Sequence, residues 1–140
     1  MDFLKKDRTL RKKNKLFRKN KMEVKFNLLN ETVKYGQQLA KIGCWLYEVQ
    51  TADVFWSDEV YNIFGCTIND LDNKFESILT YIHPDDLEFV KKARGSVHNL
   101  KEYEIEFRIV SKNGQLKYLR EKTKVIVDEN DNSAKMAGIL

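Results

Sequence analysis

The chain has 140 residues, 42% of them hydrophobic and 11% aromatic, enough to build a core in one domain with an appended element. Its net charge of +4 conceals an asymmetry, because residues 1–25 carry 11 Lys/Arg against 3 Asp/Glu while the other 115 carry 14 against 18. This composition excludes disorder over 26–140, and the absence of either an apolar run of roughly 18 to 20 residues or a signal-peptide pattern points to a soluble, cytoplasmic chain.

Residues 1–25 form a basic N-terminal arm. Phe3, Leu10, Phe17 and Val24 recur every seven residues, too thin a stripe to hold a helix alone, so the arm reads as a frayed helix or as disordered. Residues 26–42 read as a connector helix. Leu28, Thr32, Tyr35, Leu39 and Ile42 follow a 4-3-4-3 spacing that puts them on one face, with Gly43 as the expected stop. Two short strands follow, Cys44 to Val49 and Val54 to Trp56, joined by a turn at Thr51-Ala52-Asp53. Ser57 suits a helix N-cap, with Asp58 and Glu59 in the first turn and Gly65 at the end.

Phe75 to Ile82 reads as a second short helix. A third starts at Pro84 and runs to about Leu100, interrupted near Gly95-Ser96. Proline fits a first helical position, and Asp85 and Asp86 then sit where the free N–H groups favour negative charge. From 101 to 127 the pattern is a long hairpin. Tyr103, Ile105, Phe107 and Ile109 alternate with Glu104, Glu106 and Arg108, and Asn113-Gly114 is a strong turn pair. Asp128 to Asn132 reads as a turn and Ser133 to Leu140 as a last strand. The order gives an α+β domain with an antiparallel sheet and helices on one side.

This order, with the segments Ile42-Gly43-Cys44-Trp45, Trp56 to Gly65, His83-Pro84-Asp85-Asp86, Tyr103 to Val110, Asn113-Gly114 and Ala137-Gly138-Ile139, resembles a PAS domain of the subclass common in sensor histidine kinases and diguanylate cyclases or phosphodiesterases. The resemblance covers residues 42–140. It implies a five-stranded antiparallel sheet with short helices on one face, preceded by an N-terminal amphipathic helix, with 43–140 as the sensor domain. It implies signal transduction by a small-molecule ligand or a partner, and a homodimer through the helix that carries Leu28, Tyr35, Leu39 and Ile42. Separately, no Ser/His/Asp order, P-loop or GxGxxG is visible, so no enzymatic activity is expected. The chain stops at Leu140 before the linker that usually leads to an output domain. It therefore reads either as a fragment of a larger signalling protein, with an output domain or kinase outside these residues as in a two-component system, or as a stand-alone sensor acting by association; the fragment is the preferred reading.

The candidate pocket residues are Trp45, Trp56, Phe64, Phe75, Tyr81, Phe107 and Tyr118, because ligand pockets are mostly apolar with a few polar groups; each could equally be packed core. Cys44 and Cys66 form neither a CxxC pair nor a zinc spacing. Light-sensing flavin members of the family carry an Asn-Cys-Arg-Phe-like motif that is missing here. His98 on the long helix could hold haem, although a histidine near a helix C-terminus suits the dipole without any ligand. The residues require no cofactor and offer no metal site, so the cofactor is left open, with non-covalent flavin and haem disfavoured. His83 reads as making local hydrogen bonds at a helix start, and Glu106 and Arg108 as pairing on the solvent side. The alternative reading is an adaptor that binds nucleic acid or an anionic membrane through the basic arm; a solvated linker or connector helix is the preferred reading of that arm.

Overall fold

A computed structural model describes residues 2–96, 102–127 and 134–139. His98 and the turn at 128–132 lie outside the described residues. The elements run α1 (Asp2–Ala40), β1 (Cys44–Glu48), β2 (Asp53–Trp56), α2 (Asp58–Phe64), α3 (Glu76–Leu79), α4 (Pro84–Gly95), β3 (Glu102–Val110), β4 (Leu116–Val127) and β5 (Ala134–Ile139). The chain divides into two units, Met1–Gly36 and Gln37–Leu140.

The first unit is the greater part of α1. The composition boundary at residue 25 is no break in secondary structure, because the helix is continuous from Asp2 to Ala40. Leu10, Phe17, Val24, Leu28, Tyr35 and Leu39 are all exposed along it. So are Met22, Phe26, Leu29 and Val33, an apolar line that the 4-3-4-3 seam does not include.

The helix ends at Ala40, two residues short of the expected end at Ile42. Lys41 takes a left-handed φ of 54°. Its N–H donates to Gln38 O at 3.3 Å, and the Ile42 N–H donates to Gln37 O at 2.9 Å. That pair of bonds is a Schellman cap, which satisfies carbonyls the helix end would leave open. Ile42 therefore lies past the helix and is half-buried, which corrects its placement on the exposed seam. Gly43 serves close packing instead: a Cβ there would lie 2.8 Å from Val60 Cγ2.

The five strands form one sheet in the order β2-β1-β5-β4-β3, with every neighbouring pair antiparallel. Alternation assigns the faces. Trp45, Val54, Phe107 and Ile109 point to the side where Val60, Ile63, Phe64, Ile78, Ile82 and Val90 from the helical segment complete the core. Phe55, Leu116, Tyr118 and Ile126 stand exposed on the other side.

Local chemistry explains most boundaries. α2 ends at Gly65 with φ 64°. Its last carbonyls are satisfied from the hairpin, by Lys112 N–H to Phe64 O at 2.9 Å and by Lys117 Nζ to Ile63 O at 2.6 Å. Ser57 stands at the N-cap of α2 but makes no side-chain cap bond. Its hydroxyl instead accepts from the Cys44 N–H at 2.9 Å, tying β1 to the helix start. The second helix is shorter than its apolar run suggested, because Ile82 forms a bridge with Ile109. The hairpin turn uses three residues rather than two. Gly114 has φ 82° and its N–H donates to Ser111 O at 2.8 Å, a type I turn closed by a left-handed glycine.

One contact fixes how the middle of the sheet packs. Gly138 pairs with Trp45 on β1 and with Thr123 on β4. The Trp45 indole lies directly on Gly138, so a Cβ there would collide with Cε2, Cζ2 and Nε1. Gly138→Ala should lower stability by about 1 to 3 kcal/mol in urea unfolding, and adding Trp45→Phe should recover part of the loss.

Candidate functional site

Phe75, just ahead of α3, is the hub of the helix-covered face. Its ring centroid lies 4.8 Å from Trp45, 5.1 Å from Tyr47 and 5.7 Å from Trp56. Edge-on packing of this kind holds the rings in one mutual arrangement. Phe64 and Tyr81 make a second pair at 5.5 Å, and Phe107 is buried beside the first group. Six of the seven candidate pocket residues thus lie on the covered side. Tyr118 does not: it is 78% exposed, because β4 pairing places it opposite Arg108 on the outer face. It cannot line an interior pocket.

The polar part of the interior has three members. Arg94, near the end of α4, donates from Nη2 to Glu121 Oε2 at 2.6 Å and from Nε to Oε1 at 3.3 Å. The Tyr103 hydroxyl donates to the same Oε1 at 2.7 Å. Glu121 has no exposure to water, and the Arg94 side chain only 12%. The guanidinium lies 5.2 Å over the Phe75 ring and 5.9 Å over Phe107. Burial, with the charged Glu121 beside it, pushes the Tyr103 phenol far above its usual range.

Among the described residues, three buried side-chain polar atoms have no hydrogen-bond partner: Trp45 Nε1, Arg94 Nη1 and Thr123 Oγ1. Trp56, by contrast, donates from Nε1 to Asp72 O at 2.9 Å. None of Arg94, Tyr103, Glu121, Thr123 and Gly138 is among the candidate pocket residues; Tyr103 and Gly138 stand out in the sequence only as members of strand segments. A signal was available, since Leu119, Glu121, Thr123 and Val125 alternate, and continuing the apolar face through Glu121 puts a carboxylate inside.

Concave surface also exists on the uncovered face. A cleft of about 680 Å³ is lined by Cys44, Glu104, Lys122, Lys124 and Ile126 among others. A smaller one of about 380 Å³ holds Tyr118 beside Arg108 and Arg120. Arg108 does not pair with Glu106. Its guanidinium and backbone N–H hold Asp86 in the first turn of α4, with Nη2 to Oδ1 at 2.6 Å, while Glu106 meets the opposed Arg120 at 3.0 Å. Direct cross-strand pairing brings Arg120 to Glu106, and the position of α4 brings Asp86 to Arg108.

His83 caps α4, its Nδ1 accepting from the Asp85 N–H at 3.3 Å. Burial raises both cysteine thiols, the reverse of what a reactive nucleophile needs. Among the described residues no group of three His, Cys, Asp or Glu side chains is placed to hold a metal, and no helix is long and apolar enough to cross a membrane.

Residues 53–140 match a family model described as PAS fold. The chain belongs to the PAS fold family. A blue-light-activated histidine kinase of Brucella canis is 31% identical over 101 residues, which make up 71% of this chain and 20% of that protein. Among solved structures, a sensory box histidine kinase/response regulator from Burkholderia thailandensis E264 superposes with TM-score 0.58 at 19% identity, covering 76% of this chain and 80% of the other. The N-terminal domain of a diguanylate cyclase with a PAS/PAC sensor from Marinobacter aquaeolei gives TM-score 0.61 at 18% identity, covering 70% and 91%. Identities this low show a shared fold. The PAS unit is a sensory module of the kind found in histidine-kinase signalling. The chain spans about a fifth of the length of the curated relatives it matches.

Two outcomes follow from the ionic contacts. Glu121→Ala strands the Arg94 guanidinium in the interior and should cost about 3 to 5 kcal/mol in thermal unfolding, whereas Arg94→Met with Glu121→Leu should regain most of it. Hydrogen bonding from Arg108 holds Asp86 at about 2, and hydrogen bonding from Lys112 does the same for Asp70. Both values are depressed below the unfolded value of about 4, so the stability they add is present above that pH and lost as pH falls toward 2. Unfolding curves across that window should be flatter for Asp70→Asn with Asp86→Asn than for the native chain.

Proposed function

We propose that the PAS unit senses a small molecule or partner and reports it through the helix that precedes it. Residues 1–25 serve as a basic arm, 26–42 as the connector through which two copies pair, and 43–140 as the sensor. The observation that carries this reading is the run of exposed apolar side chains at Leu28, Tyr35 and Leu39, on the helix leading directly into the sensory unit. A large apolar stripe left in water marks an interaction surface. Trp45, Trp56, Phe64, Phe75, Tyr81 and Phe107 surround the interior where a ligand would be felt. Occupancy there changes how the sheet and α4 pack, and the altered packing biases the paired helices between two arrangements. Relatives named as histidine kinases support a kinase as the output.

Leu39→Lys puts a charge in the pairing face without touching the sensor core. Light scattering should report a dimer for the native chain and a monomer for the variant, with unchanged circular dichroism from the sheet. A variant that stays dimeric would remove the helix from the mechanism.

A further inference from the structure

The three unpartnered polar atoms of the interior lie around one place. The Trp45 indole rests on Gly138, and Gly138 is paired with Thr123. Two residues along the same face of β4 is Glu121, which holds Arg94. Arg94 in turn lies over Phe75, whose ring meets Trp45. Trp45 and Thr123 are each only 3% exposed. Buried polar atoms are satisfied in nearly all proteins, so orphans grouped in this way ask for a missing partner.

Their chemistry restricts that partner. Indole Nε1 and guanidinium Nη1 can only donate, and the Thr123 hydroxyl, which lies beside the Tyr103 phenol, carries one donor as well. The partner must therefore accept. It must also bring no charge, because Arg94 and Glu121 already neutralise each other and a further buried charge would be uncompensated. Phe75, Trp56 and Phe107 supply flat apolar walls. Glycine at 138 leaves a smooth floor that the indole now covers, so an indole that swings away frees room for one or two fused rings.

Resting on the ligand-sensing reading given above, we propose that this interior takes a neutral, flat, mono- or bicyclic molecule bearing a carbonyl-type acceptor, admitted when Trp45 leaves Gly138. Trp45 Nε1, Thr123 Oγ1 and Arg94 Nη1 meet the acceptor, and the Trp45 displacement is the conformational change that the sheet transmits.

Three probes of similar size separate the possibilities in the full chain: carbostyril, a neutral lactam; naphthalene, with no acceptor; and quinaldate, an anion. Backbone amide NMR locates binding and calorimetry measures it. Carbostyril should shift the amides of Trp45, Phe75, Thr123 and Gly138 and bind about tenfold more tightly than naphthalene. Thr123→Val should erase that preference while leaving naphthalene unaffected, and Thr123→Ser, which keeps the hydroxyl, should preserve it in a chain of native melting temperature. Equal binding of carbostyril and naphthalene, or tightest binding of quinaldate, at these residues would overturn the proposed class and leave the ligand-sensing reading standing. Interior amides that respond to none of the three would overturn the proposed site, with the polar atoms served by trapped water alone, and leave the sensing reading to its own test at Leu39.

Discussion

A carboxylate sealed from water holds the sensory unit together. Glu121 sits mid-strand with charged neighbours on both sides, yet its side chain points into the core and meets Arg94 and Tyr103. A lone charge in that position would be untenable. Its guanidinium partner comes from α4, so the helix cannot leave the sheet without stranding two charges. The same guanidinium lies over Phe75 and Phe107, which joins the ionic contact to the aromatic packing. The position of α4, the burial of Phe75 and the inward face of β4 thus stand on one pair.

Glycines set the other close approaches. Gly43 lets α2 settle against the start of β1, and Gly138 lets an indole lie flat on β5. Neither role concerns a turn. Both positions demand the absence of a side chain because another element occupies that volume. Together with the Glu121 pair they leave an interior that is full, aromatic and short of acceptors, an unusual combination for a core whose only task is stability.

Local rules carried far in this chain. Alternation from Tyr103 to Ile109 places the inward residues of β3 correctly, since side-chain period follows from backbone geometry alone. Pro84 with Asp85 and Asp86 starts α4, and Gly65 ends α2, because those residues act within one turn of themselves. The same rules stumble where a distant element supplies the partner. Ser57 looks like a cap for its own helix, but its hydroxyl serves Cys44 across the β1–β2 hairpin. Arg108 looks like the mate of Glu106, yet α4 brings it Asp86 at shorter reach. Ile42 fits a heptad by number, but a left-handed Lys41 turns the chain before it. Among the candidate pocket residues, Tyr118 was selected as an aromatic, and pairing register then placed it outside.

By itself the sequence determined the kinds and order of the elements, the inward face of the alternating strand, the acidic helix start and the contrast between a basic arm and a mildly acidic domain, since all of these are properties of neighbours along the chain. Only the tertiary structure decided that Arg94, Tyr103 and Glu121 share one buried contact, that Trp45 covers Gly138, and that three polar atoms are left waiting around them. Those facts depend on strand order and helix placement, which bring together residues from 18 to 27 positions apart in the polar contact, and no short-range preference encodes such distances.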